Sequence, residues 1–419
     1  MVREGLSRRD VLAATGTGAV VGLAGCSSDS GNGNGNGGGG GGDDVFRVGL
    51  VAFQSGPYSA FAPDIQDAFE MLIDDWNDMG GVQGMEVEGF NRDSEAAPET
   101  AIQRAQELID SEGVDMLATF LSTDEDGGVM NVGGRNGVPT VTCATGARLL
   151  VDEQCNPYSF RAPTSTLTKA KAGAAGGVDL FGEEVFQLNP DYSWGHEIQE
   201  DWERTIEEAG GTVVDQGWAE LGASDFSTHV GAIQDADPDW IQFGFAGSGA
   251  VAFMTEAQQT GIDIPQFHHV AYEPTILGAG SSVFDETRVY TPTEYTYDID
   301  TEANQDFVDR FESETGRLPG LAAGQAYRHI EAALRAADGA DGTGPDTLVS
   351  AIREWSGEVI SGEYNMRSCD HQASYPMYIA EVDSADDDQI YWSVEETIPA
   401  DEVLASCDEV TGRMECSVE

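Results

Sequence analysis

Val45-Phe-Arg-Val-Gly-Leu-Val-Ala-Phe53, a loop from Gln54 to Ala62, and then Pro63-Asp-Ile-Gln-Asp-Ala-Phe-Glu-Met-Leu-Ile-Asp-Asp-Trp-Asn77 decide the fold of this chain. The first run is apolar enough to be buried on both faces, as a strand inside a parallel sheet is. In the helical run Ile65, Ala68, Phe69, Leu72, Ile73 and Trp76 recur at i, i+3, i+4, i+7, i+8 and i+11, the spacing of one helix face. Pro63 suits the first helical turn, and Gly80-Gly81 ends the segment. The alternation continues outward with strand Met85–Phe90, helix Glu99–Ser111, strand Val114–Phe120, a helical stretch near Asp126–Arg135 and strand Val138–Ala144. This β-α-β-α-β-α-β order predicts a parallel, doubly wound sheet with right-handed crossovers.

The pattern then begins again. Strands Val185–Leu188, Thr212–Gln216, Trp240–Phe245, Phe267–Ala271 and Val289–Thr293 interleave with helices Gly195–Ala209, Phe226–Gln234 and Ser248–Thr260. Helices Glu302–Thr315, Leu321–Ala337 and Asp346–Glu354 follow, and the strand-like runs Tyr364–Arg367, Tyr375–Val382 and Ile390–Val394 close the body. The expected organisation is α/β and two-lobed, each lobe a doubly wound, mostly parallel sheet flanked by helices, with a hinge between them. Residues 45–164 with 291–357 form the N-terminal lobe, residues 165–290 with 358–396 the C-terminal lobe, and residues 397–419 a tail.

Ahead of the first strand, Ser7-Arg8-Arg9-Asp10-Val11-Leu12 is a twin-arginine pattern, an uncharged stretch runs from Val11 to Gly25, and Leu23-Ala24-Gly25-Cys26 resembles a lipobox. Residues 1–26 read as an export signal whose Cys26 becomes the lipid-bearing first residue of the mature chain. The apolar run is short for a transmembrane helix, which needs roughly 20 residues. Residues 27–44 consist of Gly, Asn, Ser and Asp, which cannot build a core, so they predict a disordered leash. Such a leash spans roughly 23 Å. The expected location is the outer face of the cytoplasmic membrane, with lipid anchoring.

Composition narrows the partners. The chain has 75 acidic and 20 basic residues, a net charge of −55, and Lys169 and Lys171 are its two lysines. Self-repulsion on that scale is screened at molar salt, where the Debye length is about 3 Å. An acid-rich, lysine-poor surface resembles that of extreme halophiles. A hydrophobic content of 40% and seven Trp argue against a disordered acidic chain. No basic patch is present, which excludes nucleic acid as a partner. The bulk field disfavours an acidic solute, although a local site can override it. With Cys26 lipidated, five cysteines remain, so at least one thiol is free or pairs outside the chain. Cys407 with Cys416 and Cys155 with Cys369 are both open as pairings.

Read in order, the motifs resemble the leucine/isoleucine/valine-binding family of type I periplasmic binding proteins, here in the form of a haloarchaeal-type lipoprotein. Val48-Gly-Leu-Val-Ala-Phe-Gln-Ser55-Gly56-Pro57-Tyr58 is similar to that family's first strand and SGP loop. Trp76-Asn77-x-x-Gly80-Gly81-Val82-x-Gly84 resembles its turn after the first helix, and Arg92-Asp93-Ser94 with Pro98-Glu99-x-Ala101 its acidic strand end. Gly137-Val138-Pro139, Phe160-Arg161, Tyr192-x-x-Gly195, Asp225-Phe226 and Asp237-Pro238-Asp239 recur at the expected distances. The resemblance implies a type I periplasmic-binding-protein fold that shuts around a small polar solute and delivers it to the permease and ATPase subunits of an ABC importer. A branched-chain or other amino acid heads the ligand classes implied, with amides, urea-like solutes and aromatic acids behind it. A sensory lipoprotein of the same fold is the second reading. A monomer is expected.

The resemblance also nominates site residues. Ser122 corresponds to the serine that meets a ligand carboxylate, and it equally suits a helix N-cap. Ala144 and Thr145 correspond to a turn that grips the ligand's head group. Trp194 and Phe61 are pocket aromatics, and Tyr327 is a weaker candidate that suits the core better. Tyr272 and Glu273 lie near the position where amino-acid binders pair the ammonium group; Glu273 equally suits a surface turn before Pro274. Adjacent His268 and His269 point to opposite faces of a strand and cannot share one metal ion. Cys369-Asp370-His371 is contiguous, whereas a catalytic triad converges from separate loops. No catalytic residue, metal or cofactor is expected.

Overall fold

Strand β1 (Val45–Ala52) forms where the opening apolar run predicts it, buried from Val48 onward, in a computed structural model that describes residues 45–144, 155–285, 287–386 and 389–411. It pairs in parallel with β2 (Glu86–Asp93) on one side and β3 (Met116–Phe120) on the other. β4 (Thr140–Thr142) and β5 (Ser159–Arg161) complete a five-stranded sheet in the order β2-β1-β3-β4-β5. Helices α1 (Ala62–Asp78), α2 (Pro98–Glu107) and α3 (Thr123–Asn136) make its crossovers.

After α4 (Thr166–Phe181) the second lobe repeats the scheme with β6 (Glu184–Pro190), α5 (Ser193–Glu208), β7 (Thr212–Ala219), α6 (Ser227–Ala236), β8 (Trp240–Phe243), α7 (Ser248–Gln259) and β9 (Gln266–His268). The short α8 (Glu273–Leu277) precedes β10 (Val289–Thr293). The chain then returns to the first lobe, where α9 (Glu302–Thr315) and α10 (Leu321–Asp338) pack on α1, followed by α11 (Pro345–Arg353). A small antiparallel sheet of β11 (Ser356–Val359), β12 (Gly362–Met366) and β13 (Ala373–Ser374) meets β5 through the pair Arg161 and Gln372. Finally β14 (Met377–Ala385) and β15 (Ile390–Ile398) extend the second sheet antiparallel, in the order β15-β14-β10-β9-β8-β6-β7. The chain therefore crosses between sheets three times, at residues 162–165, after Thr293, and at residues 375–376. The divisions at 290–291 and 357–358 drawn from sequence fall inside β10 and β11, because apolar runs do not reveal which sheet a strand joins.

Helix α4 is absent from the sequence reading. Its stretch, Thr-Leu-Thr-Lys-Ala-Lys-Ala-Gly-Ala-Ala-Gly-Gly, has no alternation of large apolar and polar residues, because its buried face is made of small ones. A Cβ on Gly173 would lie 2.4 Å from a ring carbon of Trp202 and 2.9 Å from one of Phe267, and on Gly177 2.8 Å from the ring of Trp240. The large side chains sit on the elements opposite, so periodicity on α4 itself is silent.

The disulfide joins Cys369 to Cys407, in place of either pairing left open by the sequence. Cys155 is also oxidised, and Cys143 is a buried free thiol. Cys26 and the leader and linker calculated from sequence lie outside the described residues.

Gly173→Ala should cost about 1–3 kcal/mol through overpacking against Trp202. Chemical unfolding of the variant in molar KCl measures it, and an unchanged midpoint would mean that α4 does not pack as described.

Candidate functional site

The carboxyl ends of both sheets point at one another, and between them lies a cavity lined by residues of both lobes. Ligands of open α/β sheets bind at such edges. From the first lobe, the end of β1 contributes Phe53 and the one-turn helix Gly56–Phe61 that follows contributes Tyr58 and Phe61. The end of β3 contributes Phe120, Leu121 and Ser122, and the end of β4 contributes Ala144. From the second lobe come Tyr192 and Trp194 at the start of α5, and His269 and Tyr272 after β9. Thr164 in the first crossover and Lys169 in the first turns of α4 close the inner end.

Aromatic rings from opposite lobes meet across this space. Phe61 and Tyr272 have centroids 4.3 Å apart, and the Tyr58 and Tyr192 hydroxyls are 3.2 Å apart. Burial pushes the Tyr58 phenol up to about 12, so it stays protonated and able to hydrogen-bond. At the rim Ser193 Oγ of α5 donates to Asp124 Oδ1 of α3 at 2.8 Å. The lobes are thus shut around the cavity by contacts that belong to neither alone.

The sequence-nominated residues divide. Phe61, Ser122, Ala144, Trp194 and Tyr272 all line the cavity, and Thr145 lies outside the described residues. Ser122 precedes α3, and its hydroxyl and backbone N–H both donate to Glu125 Oε2, at 2.5 and 3.2 Å, so its donors are already committed. Trp194 presents its face edge-on to His269, centroids 5.5 Å apart.

Glu273 and Tyr327 are not in the wall. Glu273 turns inward: Oε2 accepts the Leu321 N–H at 2.9 Å, and Oε1 accepts the Trp392 indole N–H at 2.9 Å. Leu321 opens α10, whose N-cap position is a glycine without a capping side chain, so the carboxylate serves that helix start from another lobe. A ligand ammonium has no access to it. Tyr327 lies on α10 with its ring 4.6 Å from Phe307 and its hydroxyl donating to Asp75 Oδ2 at 2.6 Å, which makes it a core residue.

The sequence reading missed Lys169, Thr164, Tyr58 and Tyr192, and considered His269 only as a metal ligand. Tyr58 and Tyr192 stand inside motifs quoted for other reasons. Lys169 had a signal of its own, as one of two lysines in a chain that otherwise uses arginine. His268 and His269 do diverge: His268 Nε2 pairs with Gln266 Oε1 at 2.9 Å, and His269 Nδ1 accepts the Trp202 indole N–H at 2.9 Å. Among the described residues no three His, Cys, Asp or Glu side chains converge as metal ligands.

Residues 45–388 match the family described as periplasmic binding protein. A Leu/Ile/Val-binding protein homolog 4 of Brucella melitensis biotype 1 is 26% identical over 350 residues, covering 80% of this chain and 83% of its own. A crystal structure of a periplasmic binding protein from Burkholderia mallei superposes with a TM-score of 0.80 at 20% identity, over 89% of this chain and 100% of that one. A solute-binding protein of an ABC transporter from Rhodopseudomonas palustris BisB5, in complex with 3,4-dihydroxybenzoic acid, superposes with a TM-score of 0.76 at 21% identity, over 85% and 98%.

Burial pushes the Glu273 carboxyl up to about 7 from its ordinary 4.5, against hydrogen bonds from its own N–H, the Leu321 N–H and the Trp392 indole that favour its charged form. Between those values the fold holds a proton that the unfolded chain has released, so the stability this group contributes falls as pH rises across that window. The stability of wild type relative to Glu273→Gln should be greater at pH 5 than at pH 7.5, by at most about 3 kcal/mol. Thermal unfolding at both pH values checks this, and an equal difference at the two would mean that Glu273 titrates as an exposed carboxyl.

Proposed function

This chain belongs to the periplasmic binding protein family, and from that premise we propose that it is the exported solute receptor of an ABC importer, held at the outer face of the cytoplasmic membrane by lipid on Cys26. The observation that carries the reading is the shared cavity: aromatic walls from both lobes, closed over by the Tyr58–Tyr192 and Ser193–Asp124 contacts. Solute capture by such a receptor needs a binding site that is assembled only when the lobes meet.

The solute has an apolar body of about ring size. Phe53, Phe61, Phe120, Trp194 and Tyr272 offer flat, apolar faces, which suit a branched aliphatic group or an aromatic ring. The amino-acid reading depended on Glu273 for the ammonium group, and that carboxylate is spent on α10. The Rhodopseudomonas palustris relative, with a dihydroxybenzoic acid bound, supports a ring-sized solute without an ammonium group.

Thermal-shift screening of small solutes in molar KCl tests the reading. A solute at 100 times its Kd should add about 2.7 kcal/mol of stability, and Trp194→Ala should weaken the same solute by tenfold or more. A panel of amino acids, amides and organic acids with no stabilising member would remove the receptor reading.

The anchor has its own test. Arg8→Lys with Arg9→Lys should hold the protein inside the cell, and Cys26→Ser should shift exported protein from the membrane fraction to the medium. Membrane association that survives Cys26→Ser would exclude lipid on that thiol as the anchor.

A further inference from the structure

The two polar ends of the cavity are unlike. At the α3 end the donors of Ser122 are taken by Glu125, and Asp124 stands at the rim, so acidic side chains gather there. An anionic group placed at that end meets like charge and few free donors. At the α4 end stands Lys169, 4% exposed, lining the cavity, with no hydrogen bond or ion pair to its ammonium group among the described residues. Thr164 Oγ1 beside the crossover is likewise buried without a partner and lines the same space.

His269 adds a donor of fixed orientation. An indole N–H can only donate, so His269 Nδ1, which receives the Trp202 N–H, must be the unprotonated nitrogen. The ring proton of the neutral imidazole is then on Nε2, at the ring edge turned away from Trp202. Burial holds the imidazole well below its ordinary range, and the nearby Lys169 charge presses in the same direction.

Charge counting points the same way. Glu294 is the carboxylate near Lys169, and it is fully buried with its oxygens engaged by the Thr164 N–H at 3.1 Å, by Gln325 Nε2 and by the Tyr375 hydroxyl. The same residue's carbonyl accepts from Arg328 Nη1, while Arg328 Nε and Nη2 have no partner and the guanidinium lies 3.9 Å over the Tyr375 ring. Glu331, also on α10, is held by Arg335 at 2.7 Å. Arg328 also has the buried Glu331 carboxylate beside it, whereas the one carboxylate near Lys169 is Glu294, whose oxygens are already engaged. A buried charge is costly unless paired, and the space in front of Lys169 is where the missing anion fits.

We propose that Lys169, with the Nε2–H of His269 and the Thr164 hydroxyl beside it, receives an anionic group of the solute, so that the site selects an organic carboxylate and seats it at the α4 end of the cavity. This rests on the receptor reading above and assigns specificity within it. The carboxylate accepts hydrogen bonds from the ammonium and imidazole groups, and its apolar body extends toward Phe61, Tyr272 and Trp194. Lys169 is then a specificity residue that separates acids from their neutral amides.

Matched pairs decide the matter: benzoate against benzamide and isovalerate against isovaleramide, with leucine as a zwitterionic control, titrated calorimetrically into the folded full-length protein in molar KCl. The wild type should bind at least one acid tenfold or more tighter than its amide. Lys169→Gln should erase that preference by weakening the acid at least tenfold and the amide less than threefold, and Lys169→Arg should keep the preference. An amide that matches or beats its acid in the wild type overturns the assignment and leaves the receptor reading standing. So does a Lys169→Gln protein, folded by circular dichroism, that retains the wild-type ratio. Should Lys169→Gln not fold, the acid-to-amide ratio of the wild type alone decides. No binding by any of the five probes counts against both the assignment and a receptor for ring-sized solutes.

Discussion

A single buried carboxylate, that of Glu294, sits where the two lobes are joined. It follows β10, at the second passage of the chain between the sheets, and takes a hydrogen bond from the Thr164 N–H in the first passage and from the Tyr375 hydroxyl in the third. Gln325 of α10 supplies another. A charged acceptor with several donors is worth more than a neutral pair of the same geometry. It ties the three crossings to one another at a single point. Gln372 adds to the same region, donating to the Arg161 and Pro163 carbonyls where the first and third passages run side by side.

Around that knot the chain builds outward by ordinary α/β logic. The sheets are apolar on both faces because helices cover them, and their carboxyl ends leave room for loops that carry aromatic rings. Glu273 shows how far the lobes depend on one another: a carboxylate beginning a short helix of the second lobe serves the buried start of α10 in the first. Arg317, by contrast, works within the first lobe, reaching Asp64 and Asp67 of α1 from the loop before α10 at 2.9 and 2.8 Å. The start of α10 thus lacks one of its hydrogen bonds without the second lobe.

Much of this was legible in the sequence wherever a large apolar residue repeats on its own element. The strand Val289–Thr293 and the helix Glu302–Thr315 occur with the bounds that periodicity gives them. Helix α4 was illegible because its buried face is Gly and Ala, and the bulk that fills the gap belongs to Trp202, Trp240 and Phe267. The site was legible in its aromatics and less so in its polar groups. Phe61 and Trp194 line the cavity because loop aromatics next to a sheet edge have few other places to go. Glu273 looked like a ligand carboxylate from its position in the chain, but the direction of a side chain depends on which donors lie within reach, and Leu321 and Trp392 are distant in sequence. Lys169 belongs to the unrecognised helix, so its place in the cavity could not be inferred before the helix was.

The burial of Lys169 inside so acidic a molecule has a kinetic side. With a net charge of −55 the surface repels an approaching anion, and the one ammonium in the cavity is too deeply set to reverse that field outside. Added electrolyte collapses the repulsive halo within a few ångströms but penetrates poorly into the closed interior. For the anionic solute proposed above, brine would therefore open the approach while leaving the inner attraction intact, and capture would quicken with salinity, the reverse of the slowing that salt imposes on receptors that steer their ligands by opposite charge.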